Sequence, residues 1–188
     1  MIKGFIKSLS VTVIIAVWLS AGAFLRAEEE FQGKLLTGSG VAAEKMIKLK
    51  ITIERYTSAD EVLKLIDVFS QQGYESFVDK FRTMIKGFFL PVGGHGVKVN
   101  IHAAHSIQKE KGRQILLFSE RQTWDLGSMQ RVDNRFPYMV IELNLDDKGK
   151  GEGKFYEQAN IKLTPQGTIE LESYNSPPKR IFAVSTTK

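Results

Sequence analysis

Hydrophobic and polar positions along the chain keep two different rhythms. The clearest is "IKLKITIERY" at 47–56, where Ile47, Leu49, Ile51 and Ile53 alternate with Lys48, Lys50, Thr52 and Glu54. Side chains on a strand point to opposite faces in turn, so this pattern predicts a strand with one buried and one solvated face. The rhythm then lengthens. In "TSADEVLKLIDVFSQQG", Val62, Leu65, Ile66 and Phe69 recur at helical spacing, after Ser58 and Glu61 at the spacing of a capping box and before the stop signal Gly73. "YESFVDKFRTM" repeats the pattern with Tyr74, Phe77, Val78 and Phe81, which predicts a second helix and a helical hairpin over 59–84.

From Lys86 onward the period returns to two. "GFFLPV" (87–92), "VKVNIHAAHSI" (97–107), "RQILLFSE" (113–120), "YMVIELNL" (138–145), "KFYEQANIKL" (154–163), "TIELESY" (168–174) and "RIFAV" (180–184) read as strands; a short one in "EFQGKLLTGSG" precedes them all. Met139, Ile141, Leu143 and Leu145 share one face. Short turns between successive strands make antiparallel pairing the default. The expected fold is α+β, mostly β: a curved antiparallel sheet, nearly closed as a barrel, with a two-helix hairpin packed on it.

Residues 1–23 stand outside this scheme. Lys3 and Lys7 precede the uncharged run "SLSVTVIIAVWLSAGA", which falls short of the ~20 apolar residues of a membrane span and ends in small residues suited to a signal peptidase. The reading is an export signal cleaved after Ala23, with Ala27 as the alternative end, followed by one domain over 24–188. Periplasmic or secreted localisation follows. No lipid-bearing cysteine is present.

Cleavage changes the charge. The formal value of +5 falls to +3 when Lys3 and Lys7 leave, and to +2 if Arg26 leaves as well. So small a surplus, with no basic run, argues against nucleic acid as a partner. The absence of cysteine removes disulfides, thiolate nucleophiles and sulfur-ligated metals, so stability rests on packing.

Several motifs invite chemistry and then lose it. "NLDDKGKGEGK" (144–154) has no helix behind it to aim N–H groups at a phosphate, and a calcium loop starting at Asp146 puts Lys148 at its second ligand. A solvated turn is the expectation. His102 and His105 should point to opposite faces, His102 to the surface and His105 to the core, and His95 lies among glycines. No metal site and no cofactor is expected. Ser39 lacks a nucleophile elbow, and Glu170 and Glu172 read as the wet side of a strand.

One segment, 113–137, gathers Arg113, Glu120, Arg121, Trp124, Asp125, Arg131, Asp133 and Arg135. Its part at 121–137 resists assignment to strand or helix, and long connections often carry function. Arg121, Trp124, Arg131 and Arg135 are the candidate ligand-binding residues, since arginines beside a tryptophan clamp an anionic or sugar-like group by forked hydrogen bonds and stacking. The competing reading has these residues tying the loop to the sheet through ion pairs, as arginine and acid mixtures commonly do.

Through "YTSADEV", "GRQILLFSER", "FPYMVIELNLDDKGKGEGK" and "IELESYNSPPKRI", the chain resembles an uncharacterised family of small exported bacterial proteins. The resemblance implies export and one compact domain, and assigns no catalytic role. The functional expectation is a non-catalytic exported protein that binds a small molecule or an envelope protein between helices and sheet, without a membrane span after signal cleavage. A carboxylate- or histidine-dependent hydrolase and a structural component of the cell envelope are the alternatives.

Overall fold

The computed structural model describes residues 28–37, 45–92, 97–121 and 136–187. The strands are β1 (Glu29–Thr37), β2 (Lys45–Ile53), β3 (Gly87–Val92), β4 (Val99–Ile101), β5 (Ala103–Gln108), β6 (Arg113–Glu120), β7 (Tyr138–Leu145), β8 (Lys150–Leu163), β9 (Ile169–Tyr174) and β10 (Lys179–Thr186). One helix, α1 (Ala59–Thr83), lies between β2 and β3. The strands form one antiparallel sheet in the order β4-β3-β2-β1-β10-β8-β7-β6-β5, with β9 branching from the far half of β8.

The inner face of this coiled sheet carries Phe31, Leu49, Ile51, Phe89, Ile101, Ile115, Ile141, Leu143, Phe155 and Ile181 in one cluster. The alternation in β2 therefore does what its sequence demands: Leu49, Ile51 and Ile53 are buried, while Met46, Lys48 and Lys50 are exposed. The sheet is not a closed barrel. No ladder joins β4 to β5, the two ends of the strand order; the chain passes from one to the other through His102, whose N–H donates to Phe118 O at 2.8 Å. Thr57 fills the gap, its N–H donating to Ala104 O at 2.8 Å and its hydroxyl accepting from Ala104 N at 2.9 Å.

The break at His102 also overturns the expected facing of His105. Val99 and Ile101 belong to the inner cluster, but beyond the break Ala104 belongs to it and Ala103 does not. Parity has slipped by one residue, as it does wherever an extra residue enters a strand. His102, expected at the surface, is buried because α1 covers the outer face there, its ring 5.3 Å from that of Phe81. His105 packs at 6.0 Å against Phe118, which faces α1 as well. Both histidines lie on the helix side.

A second correction concerns the helices. In place of two helices joined by a loop there is one helical element, interrupted only at Gly73 (φ 84°, ψ −174°). A straight helix of this length would run about 37 Å, yet the chain leaves the sheet at Ile53 and re-enters at Gly87 directly opposite. The helix is bent sharply at Gly73. Phe69 and Phe77, on either side of the bend, meet edge to face with centroids 6.0 Å apart. Both halves press Val62, Leu65, Phe77 and Phe81 onto Ala103, Phe118, Tyr138, Val140, Tyr156 and Ala159, which form the outer face of the sheet from β5 to β8.

The turn expected at 144–154 is there, but tighter than the glycine spacing suggests. Asp146 Oδ1 accepts from the N–H groups of Lys148 and Lys150, and Gly149 takes the positive φ of 70°. Gly151 and Gly153 already belong to β8. A Cβ on Gly153 would lie 2.6 Å from Glu142 O of the neighbouring strand and 2.9 Å from Leu143 Cδ2, so neither backbone nor core leaves room for one.

Helix and strand are tied where α1 begins. Ser58 and Glu61 form the anticipated capping box, and Lys86, with 0% of its side chain exposed, donates to both Glu61 carboxylate oxygens at 2.6 and 2.7 Å. Burial would raise the Glu61 carboxyl, but the bonds from Lys86, Ser58 N and Arg55 outweigh it and hold it down to about 2. Burial pushes Lys86 below the ordinary lysine value, and Glu61 offsets part of that.

A depressed acid stabilises fully above its unfolded value and loses that contribution as pH falls through its folded one, so the tether weakens between pH 4.5 and about 2. A depressed base works the other way at high pH, where stability is gained as Lys86 no longer needs its proton. Glu61→Gln leaves a buried ammonium uncompensated and should cost about 3 kcal/mol at neutral pH. Lys86→Met should cost less, because Glu61 keeps Ser58 N, Arg55 and some water. Urea denaturation of the two variants at pH 7 checks the order; the wild type should also show a stability loss below pH 4.5 that Glu61→Gln lacks.

Candidate functional site

The helix does not cover all of the outer sheet face. Between the bend of α1 and the far half of β8 lies a groove of about 640 Å³. Leu63, Ile66, Phe69, Tyr74 and Phe77 wall one side, and Tyr138, Ile161 and Leu163 the other, with Pro165 beyond. Asn160 and Lys162 supply polar groups at its edge. Leu63, Phe69 and Tyr74 remain 42%, 49% and 50% exposed. Large apolar side chains left that open along one concavity are the usual form of a ligand site.

An aromatic file leads inward from it. Phe77 stacks on Phe81 at 5.8 Å, and Phe81 meets Tyr138 edge-on at 5.7 Å and the His102 ring at 5.3 Å. At the groove wall the Tyr74 and Tyr138 hydroxyls lie 3.3 Å apart, the one polar pair set among these rings. Burial, followed by the Tyr74 hydroxyl, raises the Tyr138 phenol far above its ordinary value. His102 Nδ1 lies 3.0 Å from Met84 O, which can only accept, so this nitrogen carries the proton. Burial lowers the pKa of His102, and burial together with the Lys86 charge lowers that of His105, leaving both neutral at pH 7. Among the described residues the groove presents packing surface, two hydroxyls and the edge groups of Asn160 and Lys162, with no carboxylate or histidine in its lining.

Of the four expected ligand-binding residues, Trp124, Arg131 and Arg135 fall outside the described residues, as does His95. Arg121 sits at the root of the 122–135 segment, where its N–H donates to Pro137 O at 2.7 Å. Its Nη1 is buried with no partner among the described residues. The neighbouring Glu120 lies opposite Tyr138 of the groove wall, so Arg121 and Pro137 lie beside one end of the groove.

Other charges grouped with it in the sequence go elsewhere. Arg113, at the opposite end of β6, donates to Glu29 at 3.1 and 2.5 Å beside the Tyr56 hydroxyl, and Glu120 is gripped by Arg82, with Nε at 2.6 Å. Both are held in ion pairs, but with Glu29 of β1 and Arg82 of α1 rather than with the other charges of 113–137. Among the described residues no group of three His, Asp or Glu side chains could hold a metal ion, and no helix is long and apolar enough to cross a membrane.

The groove residues were hidden inside a helical stripe that looked uniformly buried. Ile66, Phe69 and Tyr74 share the spacing of core residues, and only Leu63, adjacent to Val62, widens the apolar arc beyond one contact face. That extra width was the available signal. Comparison of the chain with protein-family models, with curated proteins and with solved structures returns no match.

Three tyrosines have raised pKa values: Tyr138; Tyr56, through burial and the Glu29 carboxylate; and Tyr156, pushed up to about 12 by burial and then Glu142. An acid raised on folding stabilises fully below its unfolded value and loses that contribution as pH climbs beyond it, here from pH 10 upward. Melting temperature should therefore fall steeply above pH 10. Tyr138→Phe should flatten that fall while leaving the profile between pH 5 and 9 unchanged, as thermal melts across the range will show.

Proposed function

We propose that this chain is an exported, periplasmic or secreted, non-catalytic protein that holds a small amphipathic molecule in the groove between α1 and β8. The observation that carries the reading is the groove itself: about 640 Å³ walled by aliphatic and aromatic side chains, three of which, Leu63, Phe69 and Tyr74, stand half open to water. The apolar part of the ligand lies between Phe69 and Ile161, and its polar end meets Asn160, Lys162 or the Tyr74–Tyr138 hydroxyl pair. Export follows from the charged start, apolar run and small-residue site of residues 1–23.

Anilinonaphthalene sulfonate, an amphipathic fluorophore, is a direct probe. Leu63→Ser with Phe69→Ser removes two exposed groove walls and should weaken dye binding roughly tenfold or more, with little change in melting temperature, because exposed positions contribute little to folding. Ile107→Ser, exposed near the end of β5 away from the groove, should leave dye affinity alone. Equal affinity for all three proteins would place the dye elsewhere and remove the basis for the groove as the site.

A further inference from the structure

The alternation of β1 and β2 creates a second surface that α1 leaves bare. Lys34 stands directly opposite Lys48 on one side and Phe182 on the other, and Lys50 lies opposite Gln32. On β3, Val92 lies opposite Lys48 and Leu90 opposite Lys50. The cations continue around this face: Lys98 Nζ sits 3.8 Å over the Phe88 ring and the Arg180 guanidinium 4.5 Å over the Phe182 ring. Acid is sparse. Glu30 reaches Lys50 at 3.5 Å and Glu152 reaches Arg180 at 3.3 Å, but among the described residues no ion pair holds Lys34, Lys48 or Lys98.

Two lysines directly opposite on neighbouring strands repel each other. The fold carries that cost in the middle of a face that also presents apolar side chains, with Met46 57% and Val92 45% exposed beside the lysines. Lysine stems lying along apolar side chains with their ammonium groups lifted to the rim make an amphiphilic surface. Lys34, Lys48, Lys50 and Lys98 spread across β1, β2 and the approach to β4 rather than ringing a cleft, so their complement is an extended negative surface and not a single small anion.

We propose that this face docks on an anionic lipid bilayer, with Lys34, Lys48, Lys50, Lys98 and Arg180 at the headgroups and Met46, Leu90 and Val92 entering the interface. Polybasic surfaces gain attraction from acidic lipids lysine by lysine, and adjoining apolar side chains add burial. The face lies apart from the groove, so either site can operate alone.

Flotation of the full chain with phosphatidylcholine vesicles, with and without phosphatidylglycerol, tests this at low and high salt. Binding should need the anionic lipid, fall with salt, and weaken roughly tenfold or more for Lys34→Gln with Lys48→Gln. The same charge change at exposed positions on other faces, Lys64→Gln with Lys109→Gln, should leave it unchanged. Equal binding to neutral vesicles, or equal loss from both double variants, would overturn the proposal. So would the absence of vesicle binding together with retention of an acidic protein by the wild type and not by Lys34→Gln with Lys48→Gln.

Discussion

Strands β6 and β7 carry large apolar side chains on both faces, and most of the architecture follows from that constraint. Ile115 and Leu117 of β6 point inward, while Leu116 and Phe118 point out; on β7, Ile141 and Leu143 point inward, while Tyr138 and Val140 point out. Coiling the sheet satisfies only the inward set. The outward set needs a second layer, and α1 is the one helix among the described residues able to supply it. By contrast β1 and β2 carry lysines outward and need no cover.

A helix inserted between adjacent antiparallel strands must return to its starting point, and this sets the shape of the second layer. The bend at Gly73 lets both halves of α1 bear on the same sheet face, and the Glu61–Lys86 pair closes the excursion where it opened. A bent helix cannot cover a wide, twisted face completely. Where its two halves diverge, over the far half of β8, the aromatic stripe is left half covered, and that shortfall is the groove.

Much of this was legible in the sequence. The two-residue rhythm of β2, the helical spacing from Ala59 onward and the Ser58–Glu61 capping box all appear as read, because each is a local property of a few residues. The unbroken apolar run Ile115–Phe118 in "RQILLFSE" carried its double burial, which a reading of one more two-residue alternation misses. The other failures were non-local. The parity slip at His102 depends on strand ends that meet only after the sheet has coiled, so the facing of His105 was wrong. Arg113 opens β6 and Arg121 follows its last residue, Glu120, at the opposite end, so an apparent cluster in the sequence was divided in space. The groove depends on how far a bent helix falls short of its sheet, which periodicity does not encode.

The central claim is that the incompletely covered outer face serves as a binding site for an amphipathic molecule. Native mass spectrometry of the protein released gently from the cells that produce it tests this most directly. The account predicts a population heavier than the bare chain, whose extra mass leaves as an amphipathic small molecule on organic denaturation and is absent from the Leu63→Ser, Phe69→Ser protein. A bare chain, with no adduct in the wild type and none regained on incubation with an extract of those cells, would contradict it.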